Sequence, residues 1–229
     1  MAIVKKYQAE VVKIDNRIEG IYTLELKSLS GRFKYQPGQF LHLALDAYDP
    51  SAGWPESRCF SMQSSPGEEN IRITYAIKGG YTQKMSVELS TGRIVALKLP
   101  YGDLFTQEHP RENTVFIAGG TGITPFLSLF THPSFADYLK PVLFLGLRSS
   151  RFNIYQKELA LATKINHELR INTVYQDEQG ILDIKKIQNC TPTPGCFFIS
   201  GPPAMITGFK SILFSEGIHK EQVKTDEWE

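Results

Sequence analysis

The sequence predicts two successive domains: an antiparallel β domain over residues 1–108, then an α/β domain with a doubly wound parallel sheet over residues 109–229. Three observations lead there. Before residue 100, short segments of alternating apolar and polar residues recur between turn residues, as antiparallel strands do. Near Tyr101-Gly102-Asp103 and His109-Pro110 the texture changes to alternating strand and helix patterns, which favour a parallel sheet. A chain of 229 residues that is 41% hydrophobic can bury two cores of ordinary size.

In the first half, strands are expected at Tyr7–Ile14, Gly20–Lys27, Gln39–Leu45, Ile71–Ile77 and Gly92–Lys98, each bounded by Gly, Pro, Asp, Asn or Ser. In the second half, Thr114–Ala118 reads as a strand running into Gly119-Gly120-Thr121-Gly122. A helix follows from Ile123, with Pro125 tolerated in its first turn. The nearly continuous apolar run Pro141–Leu147 fits a parallel strand buried on both faces. Asn153–Ile165 has helical apolar spacing, with Asn153 as its cap. Leu169–Tyr175 and Cys196–Ser200 are further strands, and Pro203–Ser215 is helical.

Composition excludes several classes. Lys+Arg 25 against Asp+Glu 24 gives no global field for nucleic acid or anionic lipid. Cys59, Cys190 and Cys196 have no C-x-x-C spacing, against a disulfide scaffold, a zinc site or a chain-borne iron–sulfur cluster; a reducing cytoplasm fits. The N-terminus shows no apolar targeting core. From Asn113 to Ala136 no Asp, Glu, Lys or Arg occurs, a length that raises a membrane span. Gly119, Gly120, Gly122, Pro125 and Pro133 break that stretch, so it reads as a buried strand–turn–helix and no span is expected. The five histidines lack metal-ligand spacing, and no metal site is expected.

Four short segments carry candidate chemistry. The turn Gly119-Gly120-Thr121-Gly122-Ile123-Thr124-Pro125 joins a buried strand to a helix, where glycines permit close approach and free N–H groups can cradle a diphosphate; alone it is equally a tight turn. A second such turn, Ser200-Gly201-Pro202-Pro203-Ala204-Met205, also follows an apolar strand. Two turns at the carboxyl ends of parallel strands open on the side where α/β folds bind ligands. Arg58-Cys59-Phe60-Ser61 places a guanidinium and an aromatic ring on one face of an extended segment and a hydroxyl on the other. Gly79-Gly80-Tyr81-Thr82, before a helix-compatible stretch, is a second candidate phosphate clamp.

In their order, these segments resemble the ferredoxin–NADP reductase superfamily. Pro37-Gly38-Gln39-Phe40, Pro100-Tyr101-Gly102 and an aromatic near the C-terminus extend the likeness over nearly the whole chain. The resemblance implies a flavin-binding antiparallel β-barrel followed by a five-stranded parallel nucleotide domain, FAD as the flavin, and NADH or NADPH as reductant. It implies that Arg58 binds the flavin diphosphate, Phe60 stacks on the isoalloxazine in place of the usual tyrosine, and Ser61 sits near flavin N5. Gly79, Gly80, Tyr81 and Thr82 would form the flavin phosphate clamp. Gly119, Gly120, Thr121, Gly122, Thr124 and Pro125 would form the pyridine-nucleotide loop, with Gly201, Pro202 and Met205 in the second turn. Ser200 stands where the family often has Cys beside the nicotinamide, and Cys196 is read as a small buried core residue. Trp228 resembles a terminal aromatic covering the flavin, and Asp226 a carboxylate often nearby.

At the place that holds a 2′-phosphate in NADP-specific relatives, the chain reads Val174-Tyr175-Gln176-Asp177-Glu178; carboxylates there favour NADH, while Arg148 and Arg151 pull the other way. The activity implied is a stand-alone reductase passing electrons from NAD(P)H through FAD to a separate acceptor, whether ferredoxin, oxygenase component or haem protein. Two alternatives stay open: a flavin reductase releasing reduced free flavin, and a non-catalytic, nucleotide-binding redox-sensing subunit.

Overall fold

The computed structural model describes residues 3–191 and 194–226, and the chain divides into two compact units, Met1–Asp103 and Leu104–Glu229. In the first, strands β1 (Lys5–Ile18), β2 (Ile21–Ser28), β3 (Phe40–Ala44), β4 (Ser57–Ser61), β5 (Ile71–Ala76) and β6 (Ile94–Tyr101) form an antiparallel sheet in the order β4-β3-β6-β1-β2-β5. Helix α1 (Gly80–Glu88) lies between β5 and β6. The alternation has a direct cause. Tyr7, Ala9 and Val11 of β1, Leu24 and Leu26 of β2, Leu41 and Leu43 of β3, Ile71 and Ile73 of β5, and Val95, Leu97 and Leu99 of β6 all fill one core. The sheet bends nearly closed. Just past β4, Gln63 N donates to Arg72 O of β5 at 2.8 Å, and Arg72 N donates to Ser64 Oγ at 3.0 Å.

β1 outruns its expected span because register shifts between Val11 and Lys13, and between Asp15 and Ile18, let it keep pairing with β2 through Asp15 and Ile18 past the polar Asn16 and Arg17. Gly20, at a φ of 76°, turns the hairpin.

The second unit is a parallel sheet of β7 (Thr114–Gly119), β8 (Val142–Leu147), β9 (Arg170–Tyr175), β10 (Cys196–Ser200) and β11 (Val223–Asp226), in the order β11-β10-β7-β8-β9. Successive side chains of β7 bury on opposite faces. Phe116 and Ala118 pack with α2 (Thr124–Phe130) and α3 (Gln156–Ile165), whereas Val115 and Ile117 pack with α5 (Ile184–Cys190) and α6 (Pro203–Ser215). A short helix, α4 (Gln176–Gln179), follows β9. Burial on both faces explains the uncharged run through β7 and α2. Among the described residues no helix is long and apolar enough to cross a membrane.

The expected Asn153 cap is not formed. Residues Ser150–Phe152 make a 3-10 turn, α3 begins at Gln156, and the Asn153 amide nitrogen instead donates to the Tyr175 hydroxyl at 3.4 Å. Cys196 is fully buried, and desolvation pushes its thiol up to about 11, so it is an inert core thiol.

Candidate functional site

Arg58 and the start of α1 meet on the first unit through one aromatic ring. The Arg58 guanidinium lies 4.8 Å from the centroid of Tyr81, and the Tyr81 hydroxyl donates to Leu43 O at 2.7 Å, pinning the ring to β3. Desolvation raises that phenol to about 12, which keeps it a donor at neutral pH. Thr82 Oγ1 accepts from the backbone N–H groups of Lys78 and Gly79 at 2.9 and 3.2 Å and donates to Gly79 O, closing the turn that opens the helix. A Cβ placed on Gly79 or Gly80 would meet nothing within 4 Å among the described residues, so this backbone is open to a ligand. A half-exposed cation, open glycines and a helix N-terminus with no acidic residue in its first turn suit a diphosphate. Arg58 already pairs with Glu56 at 3.0 Å, a surface ion pair of small worth that an incoming phosphate can replace. Glu56 stands at the bend just before β4, two residues from Arg58, and is a site residue beyond those expected from the sequence.

Phe60 sits on β4 opposite Leu41, facing the barrel core at 9% exposure, and its ring packs 5.9 Å from that of Tyr75. Ser61 lies on the other face, opposite Phe40. The face assignment of Arg58, Phe60 and Ser61 therefore follows the strand alternation. The depth of Phe60 in the core does not follow from it, because burial depends on which strand sits at the edge. These residues fit a flavin: a planar stacking partner and a phosphate-binding cation lie two positions apart on one strand face.

In the second unit the two glycine turns interlock. A Cβ on Gly122 would come within 2.5 Å of Ser200 O and 2.6 Å of Gly201 N and Cα. One on Gly119 would meet Pro202 Cδ at 2.8 Å and Met205 Sδ at 3.1 Å, and one on Gly201 would meet Met205 Cε at 2.7 Å. The turns follow β7 and β10, adjacent parallel strands at which the chain reverses its direction of progress through the sheet. Ligands of open α/β sheets bind outside the carboxyl ends of strands at such a switch point. Gly120, at a φ of 57° with no atom of the described residues near its missing Cβ, leaves the outer side of the platform open. The Thr124 hydroxyl donates to Thr121 O at 2.9 Å, and Pro125 occupies the first turn of α2.

Ser200 is 2% exposed, and its hydroxyl donates to Asp226 Oδ2 at 3.3 Å; the two residues are register partners on β10 and β11. Trp228 lies outside the described residues. Arg148 follows β8 directly, and its carbonyl accepts from Asp177 N at 3.2 Å, so the basic and the acidic candidates for the nucleotide's ribose end share one rim. Among the described residues no group of three or more His, Cys, Asp or Glu is placed to hold a metal ion.

Comparison with known proteins bears on the second unit and on the fold. The family model for the oxidoreductase NAD-binding domain matches residues 116–211. The chain is 24% identical over 242 residues to the reductase component of propane 2-monooxygenase from Mycolicibacterium goodii, covering 97% of this chain and 68% of that one. It is 24% identical over 213 residues to a flavohemoprotein from Candida norvegensis, covering 91% and 54%. The chain thus spans between about half and two thirds of the curated relatives it matches. A ferredoxin NADP+ reductase from Neisseria gonorrhoeae, solved with bound FAD and NADP, superposes with a TM-score of 0.80 at 20% identity, over 97% of this chain and 98% of that one.

Proposed function

We propose that the chain is a member of the ferredoxin–NADP reductase superfamily, an NAD(P)H-dependent flavin oxidoreductase that delivers electrons to a separate acceptor protein, a reading supported by the match of its second unit to the NAD-binding domain model and by its fold. The observation that carries this reading is the interlocked pair of glycine turns at the switch point of β7 and β10, a platform for a pyridine-nucleotide diphosphate. When bound, FAD accepts a hydride from reduced nicotinamide and passes the electrons on singly.

The chain's own residues bind and orient. Arg58 takes the flavin diphosphate bidentately in exchange for Glu56, with the Gly79–Thr82 turn offering backbone donors on the other side. Phe60 presents a ring to the isoalloxazine, and Ser61 a hydroxyl on the opposite strand face. In the second unit Gly120 and Thr121 receive the nucleotide diphosphate. Ser200, its hydroxyl held by Asp226, ends β10 directly before the second glycine turn, at the end of the platform assigned to the nicotinamide. The role of Trp228 as a ring cover belongs to the same reading.

NADH is the proposed reductant. Asp177 and Glu178 repel a 2′-phosphate and can accept from a ribose hydroxyl, and the Asp177 backbone nitrogen, donating to Arg148 O, holds their turn against the end of β8. The acceptor is proposed to be an oxygenase component or a haem protein, in line with the reductase component and flavohemoprotein among the relatives. Free thiols at Cys59, Cys190 and Cys196 support a cytoplasmic setting. The test is an anaerobic titration of the FAD-loaded protein with NADH and with NADPH, following the flavin absorbance band. Bleaching at stoichiometric NADH is expected. Retained flavin that neither nucleotide bleaches overturns the enzyme reading, and a tenfold preference for NADPH overturns the choice of reductant.

A further inference from the structure

Tyr75 of β5 holds a polar atom that the fold leaves unused. The residue is 3% exposed, and its hydroxyl, fully buried, has no hydrogen-bond partner among the described residues. Its neighbour shows that this is not a general feature of the barrel end. Tyr22, directly opposite on β2, stacks on Tyr75 with ring centroids 5.3 Å apart and planes 12° from parallel. The Tyr22 hydroxyl donates to the Asn16 side-chain oxygen at 3.1 Å, once that amide is oriented to satisfy its neighbours. One phenol of the stacked pair is satisfied and the other is not. Buried polar groups are almost always paired, because an orphaned one loses its water without compensation, so an orphan calls for a partner.

The position of Tyr75 indicates which partner. β4 and β5 are the two edge strands of the barrel sheet, and Phe60 of β4 packs on Tyr75, centroids 5.9 Å apart and planes at 58°. The two rings line the seam between the edges, and Arg58 lies two residues from Phe60 on the same strand face. A flat ring entering the seam against Phe60 meets Tyr75 next. Burial pushes the Tyr75 phenol well above its ordinary range, with proximity to Tyr22 adding to the effect, so it remains a donor at any working pH.

We infer that Tyr75 is a flavin-binding residue whose hydroxyl donates to the isoalloxazine–ribityl half of the flavin when Phe60 moves aside to stack on it. The inference rests on the proposed flavin site and adds to it a residue that pairs only in the loaded protein. It follows that the hydroxyl is a burden on the empty barrel and an asset to the filled one.

The experiment uses the full chain, stripped of flavin, carrying Tyr75→Phe or, as a control, Tyr22→Phe. Dissociation constants for FAD and riboflavin are measured by absorbance difference and equilibrium dialysis, and melting temperatures with and without FAD. One hydrogen bond corresponds to a loss of about 2- to 12-fold in affinity for Tyr75→Phe. That loss should be equal for FAD and riboflavin, while the flavin-free protein melts at the same temperature or about 2 to 4 °C higher. Tyr22→Phe should leave the flavin constants unchanged. Equal FAD affinity in Tyr75→Phe and wild type, or a lower melting temperature of the flavin-free variant at equal affinity, overturns the inference and leaves the flavin site standing. A loss confined to FAD also overturns it, since the contact would then lie toward the diphosphate. Wild-type protein that binds neither flavin overturns both the inference and the proposed function.

Discussion

Replacing Gly122 by Ala tests whether the two turns of the second unit act as one platform. The added Cβ would lie 2.5 Å from Ser200 O and 2.6 Å from both Gly201 N and Gly201 Cα, all backbone atoms of the facing turn. Side chains can rotate away from an intruding methyl; a backbone held at the end of a central parallel strand cannot. Accommodation therefore requires the turns to part by most of an ångström. Overpacking of this kind costs about 1 to 3 kcal/mol, and rigid neighbours put Gly122→Ala at the upper end. For a chain of this size, about 3 kcal/mol lowers the melting temperature by roughly 6 to 12 °C. Gly120→Ala is the internal comparison. Its Cβ meets nothing within 4 Å among the described residues, and its cost is the left-handed backbone, φ 57°, about 1 to 2 kcal/mol. The assay is thermal unfolding of both variants together with NADH binding. Gly122→Ala should be the less stable and should lose nucleotide affinity as the platform opens. If it melts no lower than Gly120→Ala and binds NADH like wild type, the turns are not coupled as described.

Three further outcomes are expected. Arg58→Gln should weaken FAD binding by about tenfold or more, the worth of a charge-assisted hydrogen bond, and reduce its salt dependence while sparing riboflavin; equal losses for FAD and riboflavin would place Arg58 away from the diphosphate. Ser200→Ala should slow flavin reduction in stopped-flow mixing more than it weakens nucleotide binding, and an unchanged rate would remove Ser200 from the reaction. His109 should make the second unit acid-sensitive. One ring nitrogen donates to Gln107 O at 2.7 Å and the other accepts from the Tyr138 hydroxyl at 2.6 Å, while burial lowers its affinity for a proton, a bias that nearby Arg111 and Lys224 reinforce. A histidine with a depressed folded-state pKa takes up its proton more readily when unfolded, so its contribution is complete above about 6.5 and is lost as pH falls below that. His109→Gln, which keeps one donor and one acceptor, should flatten part of the acid decline seen in denaturant titrations. His42 and His132, also lowered by burial, retain the remainder. An undiminished acid decline in His109→Gln would exclude this assignment.

What the sequence reveals of this molecule depends on how local the cause is. β10 and α6 are legible to the residue, because Cys196–Ser200 is apolar throughout and Pro203 opens a helix it is suited to start. β11 is not: Val223-Lys224-Thr225-Asp226 has one apolar residue, and it is a strand only because β10 offers a parallel edge to pair with. α3 begins at Gln156, later than its apolar spacing suggests, since Asn153 N and Ile154 N donate back to Ser150 O and Phe152 O of the preceding 3-10 turn, both at 3.0 Å. At the candidate site the strand alternation of Arg58, Phe60 and Ser61 is visible in the sequence. The ring that joins Arg58 to α1 and the orphaned hydroxyl of Tyr75 arise from contacts between segments far apart in the chain, whereas the Glu56 carboxylate that pairs with Arg58 stands only two residues before it.

The glycines show the same division within a single motif. Read as letters, Gly79, Gly80, Gly119, Gly120, Gly122 and Gly201 all suggest backbone bared for a phosphate. The space around each separates them into two kinds. At Gly119, Gly122 and Gly201 a methyl would strike the opposite turn, so the missing side chain lets protein approach protein. At Gly79, Gly80 and Gly120 it would strike nothing among the described residues, so these positions leave backbone open to something the chain does not itself supply. The first kind fixes the platform and the second leaves it accessible, and a diphosphate needs both. A preorganised surface spares the ligand the entropic cost of ordering two loops, and an uncovered one allows N–H groups to approach the phosphate oxygens. The interlocking glycines should therefore govern stability and affinity together, whereas the open ones should govern affinity with a smaller effect on stability.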